Sequence, residues 1–425
     1  MAVETVPRSK SFLPVLLPLV LVPALAALCI FLFYYVFLIS LDGRGPFHNT
    51  TAVADLDGDG DLDVALTNLR REAETIHWHV ITLWFNEGGG RFSARQLEHG
   101  PYLFLSTAAG DLDGDGDADL AGLRSDGLQF FLNQGGVQGG EAGTFRPGTM
   151  VRPAGDPGTP GSVVLGDLDN DGALDGFVAG CCGFHEDPQP DEPWFDYPSV
   201  SWSWLGDRTE PGRPFPRSTA LYPELEFVRV RAAALADLDG DGNLDAYLAV
   251  LGPPPRHPDR SGDRVLLNDG TGALVDSGRR LGDGAGTAVA LGDLDADGDP
   301  DALVGAPDGA QVWLNQGGAQ GGEPGDFTAV EAALDRTGTE AVFLADFDGD
   351  GDLDALIAAT KEAAVWWNDG QGGFEHSGQR LRFSERHGLE VGDFDGDGSP
   401  DVFAAAYTED ARVWFNRGDG VLRGR

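Results

Sequence analysis

Residues 55–63 read DLDGDGDLD, from Asp55 to Asp63, and this nine-residue stretch recurs along the chain. Near-copies begin at Asp111 (DLDGDGDAD), Asp167 (DLDNDGALD), Asp237 (DLDGDGNLD), Asp293 (DLDADGDPD), Asp346 (DFDGDGDLD) and Asp393 (DFDGDGSPD). Successive starts lie 56, 56, 70, 56, 53 and 47 residues apart. Repeats of that length mark an architecture whose unit cannot bury its apolar face alone and stacks on its neighbours.

Within each copy, oxygen-bearing side chains stand at positions 1, 3 and 5, a Gly at 6 and an Asp at 9. Ca²⁺ takes six to eight oxygens at roughly 2.3–2.6 Å, and alternate carboxylates on a tight loop can converge on one ion. The Gly at position 6 (Gly60, Gly116, Gly172, Gly242, Gly298, Gly351 and Gly398) permits a bend that a Cβ would oppose. Position 7 varies among Asp, Ala, Asn and Ser, so it is expected to ligate through its carbonyl. The Glu at position 12 of an EF-hand is missing, and position 9 supplies the late carboxylate instead. Four or five Asp in nine residues repel one another unless a cation sits among them. Asx-turn preference alone does not explain seven copies in one register.

The flanks point to β-structure. Small and β-branched residues precede each loop (TAVA, STAAG, SVVLG), and a second apolar run follows it (DVALT, DAYLAV). A third run is aromatic and ends in Asn: TLWFN, QFFLN, RVLLN, VWLN, VWWN and VWFN. A turn and a fourth run then close the unit. No helical period appears in the repeats, so each unit is expected to be a four-stranded antiparallel blade. The fold class is therefore all-β, a seven-bladed β-propeller over residues 45–425. Trp84, Trp313, Trp366, Trp367 and Trp414 are read as blade-to-blade packing. Asn86, Asn133, Asn268, Asn315, Asn368 and Asn416 are read as turn formers. Residues 45–49 are expected to pair with the outer edge of the last blade and cover it.

The D-x-D-x-D-G-x-x-D loop between the first two strands resembles the FG-GAP/VCBS repeat of integrin α-subunit propellers. The resemblance covers roughly residues 47–425. It implies seven blades with calcium in the loops, held by the side chains of positions 1, 3, 5 and 9 and the carbonyl of position 7. Those residues are Asp55, Asp57, Asp59, Asp61 and Asp63 in loop one, and Asp111, Asp113, Asp115, Asp117 and Asp119 in loop two. Loop three supplies Asp167, Asp169, Asp171, Ala173 and Asp175, and loop four Asp237, Asp239, Asp241, Asn243 and Asp245. Loop five supplies Asp293, Asp295, Asp297, Asp299 and Asp301, loop six Asp346, Asp348, Asp350, Asp352 and Asp354, and loop seven Asp393, Asp395, Asp397, Ser399 and Asp401. Asn170 and Ala296 depart from Gly at position 4, and Pro300 and Pro400 stand at position 8. Integrin function is not expected to transfer with the resemblance.

The 425 residues carry a net charge of −40, and the loops hold 32 of the 69 acidic residues. That balance argues against a nucleic-acid partner. Phe12 to Ile39 is an uncharged run of 28 residues, longer than the roughly 20 a bilayer needs. A transmembrane signal anchor is expected over residues 12–40, with residues 1–11 cytoplasmic and the propeller extracytoplasmic, since Arg8 and Lys10 lie on the N-terminal side. Cys181 and Cys182 are expected to be unpaired thiols.

Long turns are expected after the second strand of blades one (Arg70–His79), three (Cys181–Tyr197) and four (Pro253–Asp263), on the face opposite the acidic loops. The blade-three excursion, with Trp194, Phe195, Tyr197 and Trp202, is either the leading binding surface or a self-packed lid. A zinc site from His77 and His79 with His185 or His257 is a minor alternative. Arg417-Gly418-Asp419 reads as an ordinary turn, and the near-identical hairpins from Gln134 and Gln316 as flexible tips. The expected function is a membrane-anchored, calcium-binding module for adhesion or interaction, with a protein or glycan ligand and no catalytic site. The alternatives are an extracellular polysaccharide- or phosphodiester-processing enzyme and a non-catalytic subunit of an envelope complex. Neither a nucleophile elbow nor an H-E-x-x-H motif supports the enzyme.

Overall fold

The computed structural model describes residues 51–72, 75–97, 104–124, 126–135, 139–152, 159–182, 200–206, 218–252, 261–317, 321–330, 334, 338–383, 387–406 and 411–424. The chain divides into two units, Met1–Pro46 and Phe47–Arg425. The first lies outside the described residues, and so do the expected anchor and the expected edge pairing of residues 45–49. Among the described residues no helix is long and apolar enough to cross a membrane.

The described residues of the second unit form 28 strands, numbered β1 to β28 in chain order, in seven sheets of four. Every sheet is an antiparallel meander in which each strand pairs with the next. Blade one is β1 (Thr51–Ala54), β2 (Asp63–Glu72), β3 (Thr75–Asn86) and β4 (Phe92–Gln96). Blade seven is β25 (His387–Gly392), β26 (Asp401–Ala406), β27 (Ala411–Phe415) and β28 (Arg423–Gly424). Position 9 of each acidic loop opens the second strand and pairs with the last residue of the first, as Asp63 does with Ala54.

The core is divided into seven apolar clusters, one at each seam between neighbouring blades. Alternation along a strand sends successive side chains to opposite seams. Ala65 and Leu83 thus join Phe104, Leu120 and Phe131 of blade two. Val64, Leu66 and Trp84 instead join Phe394, Phe403, Val413 and Phe415 of blade seven. That last cluster closes the ring, with Phe92 against Phe403 at a centroid distance of 4.7 Å. The tryptophans named from the sequence pack between blades, with Trp84 and Trp414 3% and 4% exposed and Trp313, Trp366 and Trp367 partly buried.

Two expectations need correction. The stretch Arg70–His79 is not a long turn, because β2 and β3 continue outward as a hairpin with Glu72 paired to Thr75. Trp202 is not part of a surface loop. It opens β11 (Trp202–Leu205), is 1% exposed, and packs with Trp204 in the seam between blades two and three. Blade three's third strand is therefore WSWL, and Gly206 follows it where the other blades have an Asn. The remaining residues of the blade-three excursion, Trp194, Phe195 and Tyr197 among them, lie outside the described residues, as does most of Pro253–Asp263.

Candidate metal centres

Each acidic loop is folded by its own carboxylates. Asp55 accepts from the amides of Gly58 (2.7 Å, Oδ1) and Gly60 (3.0 Å, Oδ2), which winds the first five residues around the position-1 side chain. Asp59 accepts from the Asp61 amide at 2.9 Å. The position-6 glycines lie at φ between 86° and 101°, the left-handed region the sequence called for. Position 4 is left-handed too, and there the two departures carry strain: Asn170 sits at φ 56° and Ala296 at φ 61°.

The Asp at position 9 is fully buried in all seven loops. In loop one, Asp63 accepts from the Leu56 amide through Oδ2 and from the Asn86 amide through Oδ1, both at 2.8 Å. The other six repeat this pattern, Asp175 taking its second bond from the Gly206 amide at 2.6 Å. Burial pushes these carboxyls up, Asp63, Asp245 and Asp301 to about 7, Asp119 to about 8, and Asp175, Asp354 and Asp401 to about 6, against the pull of the amide donors. Position 3 is raised as well in Asp57, Asp113, Asp239, Asp295, Asp348 and Asp395, by burial and by the neighbouring Asp at positions 1 and 5.

These carboxylates converge. One oxygen from each of Asp55, Asp57 and Asp63 lies within 4.8 Å of the others, and the same holds for Asp167, Asp169 and Asp175 and for Asp237, Asp239 and Asp245. In loops two and five the groups are Asp111, Asp113 and Asp115, and Asp293, Asp295 and Asp297. The donor set fits a hard divalent ion, and one further observation supports the fit. Asp57 Oδ1, Asp295 Oδ1 and Asp395 Oδ1 at position 3, and Asp115 Oδ2 and Asp297 Oδ2 at position 5, are buried carboxylate oxygens with no hydrogen-bond partner. An ion among them would supply the charge these oxygens lack.

Sequence reasoning missed what the strand-three Asn does. It forms a turn, as Asn86 Oδ1 accepting from Gly88 and Gly90 shows, but its amide also reaches the preceding blade. Asn133 Nδ2 donates to Leu56 O at 2.8 Å, Asn268 to Leu168 O at 2.7 Å, and Asn315 to Leu238 O at 2.9 Å. Asn368 reaches Leu294 O at 3.0 Å and Asn416 reaches Phe347 O at 2.6 Å. Asn86 reaches Phe394 O at 2.8 Å and so ties blade one to blade seven. The acceptor is always position 2 of an acidic loop, whose own amide is held by position 9. Six of the seven loops, all but the second, are thus linked to the next blade's Asn and, through it, to the next blade's Asp. Blade three lacks the Asn, and a Cβ at Gly206 would collide with the Leu174 carbonyl.

The glycine-rich hairpins are not wholly free tips. Gly143 lies against Asp57 Cβ and the Phe85 ring, so the hairpin of blade two leans on the loop of blade one. Asp419 of the Arg-Gly-Asp turn is held by Arg423 Nη1 and Nη2 at 2.9 and 2.7 Å, which lowers its pKa to about 2. The side chains of His77, His79, His185 and His257 lie outside the described residues, and with them the zinc alternative.

A family model described as an FG-GAP-like repeat matches residues 55–122, 111–178, 237–304, 293–357 and 346–404. No curated protein matches. Among solved structures, an Agrocybe aegerita lectin, described as specifically recognising non-reducing terminal N-acetylglucosamine, superposes with a TM-score of 0.54 at 18% identity, over 88% of this chain and 93% of that one. BBS1N in complex with ARL6DN gives a TM-score of 0.47 at 11% identity, over 86% and 91% of the two chains. The lectin likeness shows the propeller fold.

Proposed function

Because this chain belongs to the FG-GAP-like repeat family, whose model covers more than half of it, we propose that it is a calcium-stiffened, non-catalytic binding module, with Ca²⁺ held by the loop residues named above. The carrying observation is the shared use of carboxylates: position 1 winds the loop and position 9 clamps it in all seven, and in loops one, two, five and seven buried oxygens at position 3 or 5 are left for a cation. A cation there would rigidify the Asn-mediated links from the loops to their following blades. The N-terminal apolar run would tether the module to a membrane, with the propeller on the extracytoplasmic side. The ligand, a glycan or a protein, would bind the face opposite the loops. The lectin likeness motivates the glycan arm.

The test is a glycan and protein binding screen of the full chain, with and without Ca²⁺, repeated on a chain lacking residues 186–197. Saturable binding that weakens on chelation and on deletion is the expected result. Turnover of a polysaccharide or phosphodiester, or no ligand in either arm, would refute the proposal.

A further inference from the structure

Blade four comprises β13 (Val230–Ala236), β14 (Asp245–Val250), β15 (Arg264–Asn268) and β16 (Leu274–Asp276). Arg264 opens β15 at the end of the blade away from the Asp237–Asp245 loop and pairs with Leu248. By alternation it shares a sheet face with Leu266, and both leucines belong to the apolar cluster between blades three and four. Arg264 is 1% exposed, and among the described residues its Nε and Nη1 have no hydrogen-bond partner.

The carboxylates nearest along the strands are engaged elsewhere. Asp263 lies on the other face, where Tyr247 Oη donates to it at 3.3 Å and the Val250 amide at 2.8 Å. Burial raises its pKa to about 7, the opposite of what a guanidinium beside it would do. Asp276 pairs with Leu266 and so shares Arg264's face, but Arg280 Nη1 and Nη2 hold its two oxygens at 2.9 Å each. Arg229, which precedes β13 at the same end of the blade, also has a buried Nε without a partner. Arginine does not shed its proton in a protein, and a buried charge without a counter-charge is among the most costly arrangements a fold can hold. Among the described residues no hydrogen-bonded carboxylate completes the site, and an anion from outside the chain would.

We propose that the far end of blade four is an oxyanion site anchored by Arg264, and that it takes the sulfate or carboxylate group of an acidic glycan. Guanidinium recognises both groups through charge-assisted hydrogen bonds. The glycan rests on the binding-module reading; the oxyanion does not.

The full chain, in detergent and saturating Ca²⁺, is titrated with sodium sulfate and sodium glucuronate against sodium chloride of matched ionic strength. A sulfated and an uncharged oligosaccharide follow by calorimetry. Sulfate or glucuronate is expected to raise the melting temperature saturably beyond chloride, and the sulfated oligosaccharide to bind at least tenfold more tightly than free sulfate. Arg264→Met is expected to abolish both effects while melting no lower than the wild type in chloride, and Arg264→Lys to weaken binding at least tenfold. The Lys variant, which keeps the charge, reads binding independently of any stability change in the Met variant. No increment over chloride, wild-type binding by either variant, or an Arg264→Met protein melting well below wild type in chloride would overturn the site, the last by revealing an intrachain partner. Free sulfate binding without the sulfated oligosaccharide would overturn the glycan assignment. Binding of uncharged glycans or proteins alone would leave the module reading standing and remove this inference.

Discussion

Replacing Asn86 by Ala removes the bond that ties the first blade to the last. The Nδ2 bond to Phe394 O is 2.8 Å long and lies in a seam where Phe394 is 1% exposed, so no water replaces the donor. A buried carbonyl left without a partner costs roughly 1–3 kcal/mol. The Oδ1 bonds from Gly88 and Gly90, both 3.2 Å, hold the β3–β4 turn and contribute about 1 kcal/mol more. The backbone bond from Asn86 to Asp63 survives the substitution. The expected loss is about 3 kcal/mol, and it has an address. Hydrogen exchange in saturating Ca²⁺ should show faster opening at the Phe394 and Asn86 amides, while the seam bridged by Asn315 keeps its protection. Asn86→Asp should be worse still, because a carboxylate would face the Phe394 carbonyl. A loss below about 0.5 kcal/mol, or one spread evenly over all seven seams, would refute the idea that these amides fasten the ring.

Three other outcomes follow from the loop and core geometry. Asp57→Asn should lower calcium stoichiometry by one, yet leave the chelated protein as stable as before or more so, since Asp57 crowds Asp55 and Asp59; Asp63→Ala should destabilise the protein even in chelator, through the loss of two amide bonds. Asp263→Asn is checked by melting curves from pH 4 to 8. The folded pKa near 7 stands above the ordinary aspartate value of 3.8, so wild-type stability falls as pH rises between those values. The variant should match the wild type at pH 4 and exceed it at pH 8 by about 4 kcal/mol, the shift expressed as energy. Ala296→Gly should stabilise by about 0.5–1 kcal/mol in denaturant titrations, because relief of the left-handed strain exceeds the added chain entropy.

The loops and the blade count were legible because the Asp register repeats while the blades between vary in length. The link through Asn was harder to see, since its partner lies 77 residues away for Asn133 and 308 for Asn86. Its trace in the sequence is an Asn closing strand three in six blades, more regular than a turn requires. Trp202 was misplaced because blade three lacks that Asn, and its third strand then looks like the end of an insertion. The Arg70–His79 hairpin was misjudged because charged residues suit a loop as well as an outward-running pair of strands. The unpaired Arg264 left no mark in the sequence at all, because partners are a property of the packed seam.

Calcium binding counted directly puts the central claim to its plainest test. Calcium-depleted protein, titrated calorimetrically and assayed by metal analysis, should take up about seven Ca²⁺ per chain, one for each acidic loop, and its melting temperature should fall sharply when chelator is added. A protein that binds no Ca²⁺ at millimolar concentration and melts identically in chelator would contradict the account.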